Sequence, residues 1–246
     1  MNVLPGVCWG LIPARGGSRS VPLKNIADLG GRPLLDYCAL AAQQSASVAR
    51  IICSTDSQPI EARCRELQVE VSARPAALSG DSVAVADVIV DFLRTSGTDS
   101  GGVPECIALL QPTSPFILPE QIDTCVKELL ADPSAGSAQT VIDCPHNHHA
   151  YNQRLVSDGY VSWRFAEERL QAYNKQSKPK HHLFGNLVVF RSESILQSGA
   201  VFADPSIAVE VPTVYGFDCD GPDDFRLGDL LLRAGFVSLP HIEQSA

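Results

Sequence analysis

A chain of 246 residues, 45% hydrophobic and 19% charged, holds enough apolar material for one α/β domain with a small appendage and is too apolar for a disordered chain. Its formal net charge of −9 repels phosphate backbones and anionic lipid, so neither nucleic acid nor a membrane surface is an expected partner. No apolar run approaches the roughly 20 residues of a membrane helix.

The opening MNVLPGVCWGLIP has neither a basic leader nor a small-residue cleavage site, and a cytoplasmic protein is expected. The eight cysteines include no Cys-x-x-Cys pair. In a reducing compartment they read as small core residues, not zinc ligands.

In chain order, VCWGLIP is a buried strand. PLLDYCALAAQQ is a helix with Pro33 in its first turn and Leu34, Tyr37, Cys38 and Ala41 inward. RIICSTDS is a second strand, after which Ser57 can cap the helix QPIEARCRELQ. VEVSARP is a third strand. DSVAVADVIVDFLR is a helix striped by Val85, Val88, Ile89, Phe92 and Leu93, and GTDSGGVP reads as a surface loop. CIALLQPTSP is a fourth strand, and PEQIDTCVKELLAD a helix burying Ile122, Val126, Leu129 and Leu130.

After residue 143 the rhythm breaks. CPHNHHAYNQ to KQSKPKHH is polar and aromatic, with Trp163 and Phe165 as anchors, and suits a lid, an excursion or an oligomer contact. Strand patterning returns in NLVVFR and VEVPTVYGFDCD. The last helix, PDDFRLGDLLLRAG, has Pro222, Asp223 and Asp224 in its first turn and Gly235 to end it. Apolar strands alternating with helices predict a mostly parallel sheet covered on both faces.

Ligands of such sheets bind beyond the carboxyl ends of the strands. Polar segments follow four of the predicted strands here: PARGGSRSVPLKN, STDS, QPTSP and FDCDGPDD. In the first, Gly16 and Gly17 admit a close ligand, successive amides can form an anion nest, and Arg15, Arg19 and Lys24 add charge. The loop is neither a Walker A motif nor GxGxxG, and read alone it is equally a solvated basic loop.

In the last segment, Asp218 and Asp220 are two residues apart at a predicted strand end, so both point one way and can hold Mg²⁺. Read alone, an Asp-rich turn is more often merely polar. His146, His148 and His149 lack metal-ligand spacing and read as solvated or interface residues. Neither a GxSxG elbow nor a distinguishable cysteine nucleophile supports covalent catalysis.

IPARGGSRSVPLKN resembles the N-terminal signature IPARxGSKxxPxKN of the CMP-sialic acid synthetases, or acylneuraminate cytidylyltransferases. STDS, ARPAALSGD and LLQPTSP follow in that family's order, and DCDGPDDF is similar to its late Asp-x-Asp and helix. The likeness runs from about residue 9 to 235. It implies a Rossmann-like three-layer α/β/α sandwich with a mostly parallel mixed sheet, of the nucleotide-diphospho-sugar transferase type. One nucleotidyltransferase domain would cover residues 1–246, with 144–186 protruding on the acceptor side and exchanged across a homodimer.

The implied reaction transfers CMP from CTP to the anomeric hydroxyl of an acidic nonulosonic or related sugar, releasing pyrophosphate. By the same resemblance Arg15, Arg19 and Lys24 contact the triphosphate within a loop of Ala14, Gly16, Gly17 and Ser18. Asn25, Arg74 and Ser82 lie near the nucleotide, Gln111 faces the sugar, and Asp218 and Asp220 bind Mg²⁺. Arg15, Lys24 and the two aspartates would carry catalysis by positioning and charge stabilisation.

The chain also departs from the pattern. Arg19 replaces a lysine, and Ala150 follows His148 and His149 where the family has proline. Gly185 and Asn186 reverse the family's Asn-Gly, and NKQSKPKHH replaces its arginine-and-proline stretch. Lys175, Lys178, Lys180, His181 and His182 then either read an acidic sugar or form a solvated loop. The rival readings are a nucleotidyltransferase for another sugar or cofactor precursor, and a non-catalytic nucleotide-binding relative.

Overall fold

The computed structural model describes residues 2–99, 101–172 and 174–243. The chain begins with β1 (Val3–Pro13), a short ribbon of β2 (Asp28–Leu29) and β3 (Arg32–Pro33), then α1 (Leu34–Gln44). β4 (Val48–Thr55), α2 (Gln58–Glu66), β5 (Glu70–Ala73), α3 (Val85–Asp99), β6 (Val103–Leu109) and α4 (Pro119–Ala131) follow. After β7 (Ser137–Asp143) comes the excursion, holding β8 (Arg154–Ser157), β9 (Tyr160–Trp163) and α5 (Ala166–Gln171). The chain closes with β10 (His182–Arg191), α6 (Ser192–Ser198), β11 (Ser206–Glu210), α7 (Pro222–Arg233) and α8 (Pro240–Glu243).

Seven strands form one sheet in the order β11-β7-β10-β6-β1-β4-β5. β10 runs antiparallel to both β6 and β7, and the other pairings are parallel. The sheet is therefore mixed but mostly parallel, as predicted. Side chains alternate across β1. Cys8 and Ile12 join Leu35, Ile60 and Ile122 on one face, while Trp9 and Leu11 join Phe92 and Ile107 on the other. Apolar layers on both faces give the three-layer sandwich and explain why the central strands lack polar alternation. Among the described residues, no helix is long and apolar enough to cross a membrane.

The structure corrects three sequence expectations. α3 continues to Asp99, so Gly97, Thr98 and Asp99 of GTDSGGVP are helical. VEVPTVYGFDCD is not one strand: β11 stops at Glu210, and Pro212 starts a 3-10 turn over Thr213–Gly216. Proline presets the turn and brings no amide to a ladder. Residues 217–220 belong to no strand, so Asp218 and Asp220 are not at a strand end. Finally, Ser57 is the N-cap of α2, but its hydroxyl makes no capping bond.

A third apolar cluster anchors the C-terminal part. Cys219, Val237 and Leu239 pack with Leu34, Tyr37 and Phe116. Phe116 also stacks on Phe217 with ring centroids 5.1 Å apart.

One polar tie runs between α1 and α2. Asp36 is fully buried and receives Arg63 through two hydrogen bonds, one of them from Nε at 2.9 Å. Arg32 stands 4.0 Å away. Removing one partner of a buried pair strands the other charge. Arg63→Ala is therefore expected to cost about 3 kcal/mol of stability, read as a lower urea midpoint; a loss below about 1 kcal/mol would mean that Arg32 suffices.

Candidate functional site

The carboxyl ends of β1, β5 and β6 border a cleft of about 420 Å³. Loop 13–25 forms one wall, segment 78–88 the opposite wall, and Gln111, Pro112 and Thr113 the back. The order of the sheet places β1 between β6 and β4, which brings these loops together.

The first loop is held from beneath. The buried Ala14 donates its N–H to Ser54 O at 3.0 Å, extending the β1–β4 register by one residue. Gly16 N–H donates to Asp56 Oδ1 at 2.8 Å. A Cβ on Gly16 would stand 2.8 Å from Ser57 Cβ, so only glycine lets the two loops meet. Gly17 has open space beside it and lines the cleft with Ser18. The buried Asn25 closes the loop by donating to Arg15 O at 2.9 Å. Before it, Leu23 has φ 47°, a left-handed conformation that costs a leucine about 1–2 kcal/mol and here turns the chain into the Lys24–Ile26 helix.

The cations are already paired. Arg15 Nη1 lies 2.6 Å from Asp81 Oδ1, and Arg19 Nε 3.1 Å from Asp81 Oδ2. Lys24 Nζ lies 2.9 Å from Asp220 Oδ1. Arg74 donates to Ser54 O at 2.8 Å. Burial pushes its guanidinium below the usual arginine range; Asp56 opposes that, and Arg15 adds to it. An incoming anion relieves both the burial cost and the repulsion between the guanidinia.

Asp218 and Asp220 flank Cys219, whose side chain is in the core and whose N–H donates to Thr113 O at 2.7 Å. With Cys219 turned inward, the two flanking aspartates are left on the exposed side. The two carboxyls are near enough to shift each other. Burial, then the charge of Asp220, raises the Asp218 carboxyl, while a bond from Thr113 opposes this. The Lys24 hydrogen bond lowers Asp220. Two carboxylates this close need a proton or a cation between them, and hard oxygen donors suit Mg²⁺, so the pair fits that ion.

Of the sequence-predicted residues, Arg15, Gly17, Ser18, Arg19, Lys24, Asn25, Arg74 and Gln111 line the cleft. Asp218 and Asp220 reach it through Thr113 and Lys24. Ala14 and Gly16 support the loop from behind. Ser82 does not line the cleft, although its neighbours Asp81 and Val83 do. Sequence reasoning missed the partners: Asp56 beneath Gly16, Asp81 between the arginines, and Thr113 beside Asp218. STDS, SGDS and QPTSP contained all three, but polarity alone does not identify a residue's partner.

The basic stretch is disposed differently. Lys178 donates to Asn152 Oδ1 at 2.7 Å. Lys180 pairs with Asp143 at 3.0 Å and Glu210 at 3.4 Å, and His182 lies 3.6 and 3.5 Å from the same two carboxylates. His181 stacks on His149 with centroids 4.1 Å apart. None of these four lines the cleft. The Lys175 side chain lies outside the described residues.

The reversed Gly185-Asn186 is structural. Asn186 is buried, donates to Gln121 Oε1 at 2.9 Å and Tyr215 O at 3.0 Å, and accepts from Thr140 Oγ1 at 2.9 Å. A Cβ on Gly185 would sit 2.6 Å from Thr140 Oγ1.

Residues 9–190 match the model of a family described as cytidylyltransferase. The chain belongs to the cytidylyltransferase family. It is 27% identical over 231 residues to the CMP-N,N'-diacetyllegionaminic acid synthase of Legionella pneumophila, covering 91% of this chain and 95% of that one. It is 29% identical over 217 residues to an N-acylneuraminate cytidylyltransferase of Escherichia coli, covering 88% of this chain but 50% of that longer protein. Among solved structures it shares the fold of a CMP:2-keto-3-deoxy-manno-octonic acid synthetase complexed with CTP. The TM-score is 0.70 at 18% identity, covering 93% of this chain and 99% of that one.

As a cytidylyltransferase, the chain depends on how closely its first loop rests on the second. Gly16→Ala places a methyl against Ser57, moves the loop and misaligns its cations. We expect nucleotide affinity to fall about tenfold or more by calorimetry, equal to about 1.4 kcal/mol, with the melting temperature nearly unchanged. Unaltered affinity would show that the loop adapts.

Proposed function

We propose that this chain transfers a cytidylyl group from CTP to the anomeric hydroxyl of an acidic sugar and releases pyrophosphate. The observation that carries this reading is the cleft itself: four cationic side chains at the strand ends, bordered by the Asp218–Asp220 pair, in a cytidylyltransferase. The relatives named for legionaminic and neuraminic acids support an acidic acceptor.

The anomeric oxygen bonds to the α-phosphorus while the bond to the bridging oxygen of pyrophosphate breaks, and the hydroxyl proton leaves to water. Arg15 and Arg19 hold the departing phosphates by paired donors, which suit planar guanidinium groups. Gly17 and Ser18 line the same cleft, where their amides would serve the same anion. Lys24 spans the loop and Asp220, offsetting charge as pyrophosphate leaves. Mg²⁺ held by Asp218 and Asp220 would supply a Lewis acid at the phosphate and lower the pKa of the attacking hydroxyl. Gln111, on the back wall, is placed to orient the acceptor. No side-chain nucleophile enters, so catalysis rests on position and charge.

Asp220→Asn should cut turnover about 10²- to 10³-fold with CTP, Mg²⁺ and a panel of nonulosonic acids, while CTP still raises the melting temperature. Full turnover in the variant would refute the aspartate role. If wild-type protein released no pyrophosphate with any acidic sugar, the acceptor assignment would fail. Stronger stabilisation by another nucleotide would fail the cytidine assignment.

We further propose a homodimer built through residues 144–186. Among the described residues β8 and β9 pair only with each other, and their hairpin leaves Val156, Tyr160 and Val161 at 75, 81 and 65% exposure. A single chain gains nothing by leaving the cross-strand pair Val156 and Val161 open on one face and Tyr160 on the other, whereas a second copy would cover them. Val156→Glu with Val161→Glu is expected to give a monomer by sedimentation; an unchanged dimer would place the interface elsewhere. Seven buried, unpaired cysteines and the need for CTP support a cytoplasmic location.

A further inference from the structure

Among the described residues lining the cleft, Asp81 is the one carboxylate, set against Arg15, Arg19, Lys24 and Arg74. It does not lie at the rim of this group. Its Oδ1 is 2.6 Å from Arg15 and its Oδ2 is 3.1 Å from Arg19, one oxygen for each guanidinium. A phosphate spanning two arginines uses the same donors in the same way. Asp81 therefore occupies the phosphate edge of both residues.

The segment bearing Asp81 is suited to leave. It joins the 3-10 turn Ala76–Leu78 to α3 and is held locally, with Val83 N–H donating to Gly80 O at a long 3.3 Å. The Asp81 side chain is 45% exposed, and that of Arg19 is 84% exposed. Ion pairs this open to water are weak and break readily. A polyphosphate carries more charge per contact than a carboxylate, so it wins the exchange. Asp81 remains tethered nearby at high effective concentration and can return.

We propose that Asp81 is an internal competitor for the polyphosphate site: substrate binds by displacing it, and its return helps to expel pyrophosphate. The inference rests on the reading of the cleft as a polyphosphate site. Asp81 thus lowers affinity for substrate and product alike, and the benefit is faster product release. It acts through Arg15 and Arg19 and does not touch the reacting atoms, so it is a positioning residue.

Asp81→Asn in the full chain, with inorganic pyrophosphate and CTP as probes, tests this. Two exposed pairs at small worth each predict about fivefold to tenfold tighter binding of both by calorimetry. Pyrophosphate should become a correspondingly stronger product inhibitor. The gain should shrink in an Arg19→Gln background, because the two sites couple. A purely structural role predicts the reverse, with weaker binding and a lower melting temperature. If Asp81→Asn unfolds, Asp81→Ser carries the same test; failure of both to fold would mean a structural role and overturn the proposal. Wild-type binding of CTP with no tightening in the folded variant would overturn the competitor role and leave the nucleotide reading intact. Failure of wild-type protein to bind either probe would overturn both.

Discussion

One backbone hydrogen bond, from Cys219 N–H to Thr113 O at 2.7 Å, joins the two halves of the site. Thr113 follows the central strand β6, whereas Cys219 belongs to a segment outside the sheet ladder. The buried Cys219 thiol anchors that segment in the core and turns both neighbouring aspartates outward. From there Asp220 meets Lys24, and its carbonyl accepts from Ser20 Oγ at 2.6 Å. Without the Cys219 anchor, the aspartates would lie on a solvated turn with no fixed relation to the first loop. The shared orientation of the two aspartates, on which the proposed Mg²⁺ role depends, thus derives from a hydrophobic contact.

The second constraint is electrostatic. Cations gathered in a cleft repel one another, and a protein of net charge −9 supplies the remedy from its own carboxylates. Asp56 lies below the loop, Asp81 in front of it and Asp220 at its end. The first is structural, because it is bonded to a backbone amide that Gly16 alone can present. The other two meet cationic side chains at partly open positions, where water keeps the pairs weak. Such a site is assembled before its ligand arrives, and the ligand exchanges one set of negative charges for another. This keeps the cost of ordering flexible arginines out of the binding step.

The sheet was legible because continuous apolar strands and striped helices each have their own period, and β1, β4 and β6 kept theirs. The first loop was legible because adjacent glycines bare the backbone amides beside three cations, a combination that suits an anion. The two aspartates of the Asp-x-Asp do face one side, but not because they end a strand. Their shared orientation comes from the buried Cys219 between them, and Pro212 was the available sign that the strand had ended. Asp81 was missed because a carboxylate in SGDS shows no sign of the two arginines it will meet about sixty residues away.

The basic stretch shows the limit of composition most clearly. Lys180 and His182 look free in sequence, yet both sit against Asp143 and Glu210, acids from the ends of β7 and β11. β10 carries them there because it runs between β6 and β7, beside the strand that pairs with β11. The same strand requires Gly185 against Thr140 and buries Asn186 under Tyr215. The reversal of glycine and asparagine is thus a packing solution in the sheet and conveys nothing about the acceptor. Side chains that this register does not consume are free of its packing demands. Within 144–186 those lie towards the hairpin, where Trp163 is held between Arg154 and Arg169 by cation–π contacts of 4.1 and 3.7 Å. A segment braced by such contacts, in a two-stranded ladder outside the main sheet, can change its surface without disturbing the nucleotide cleft.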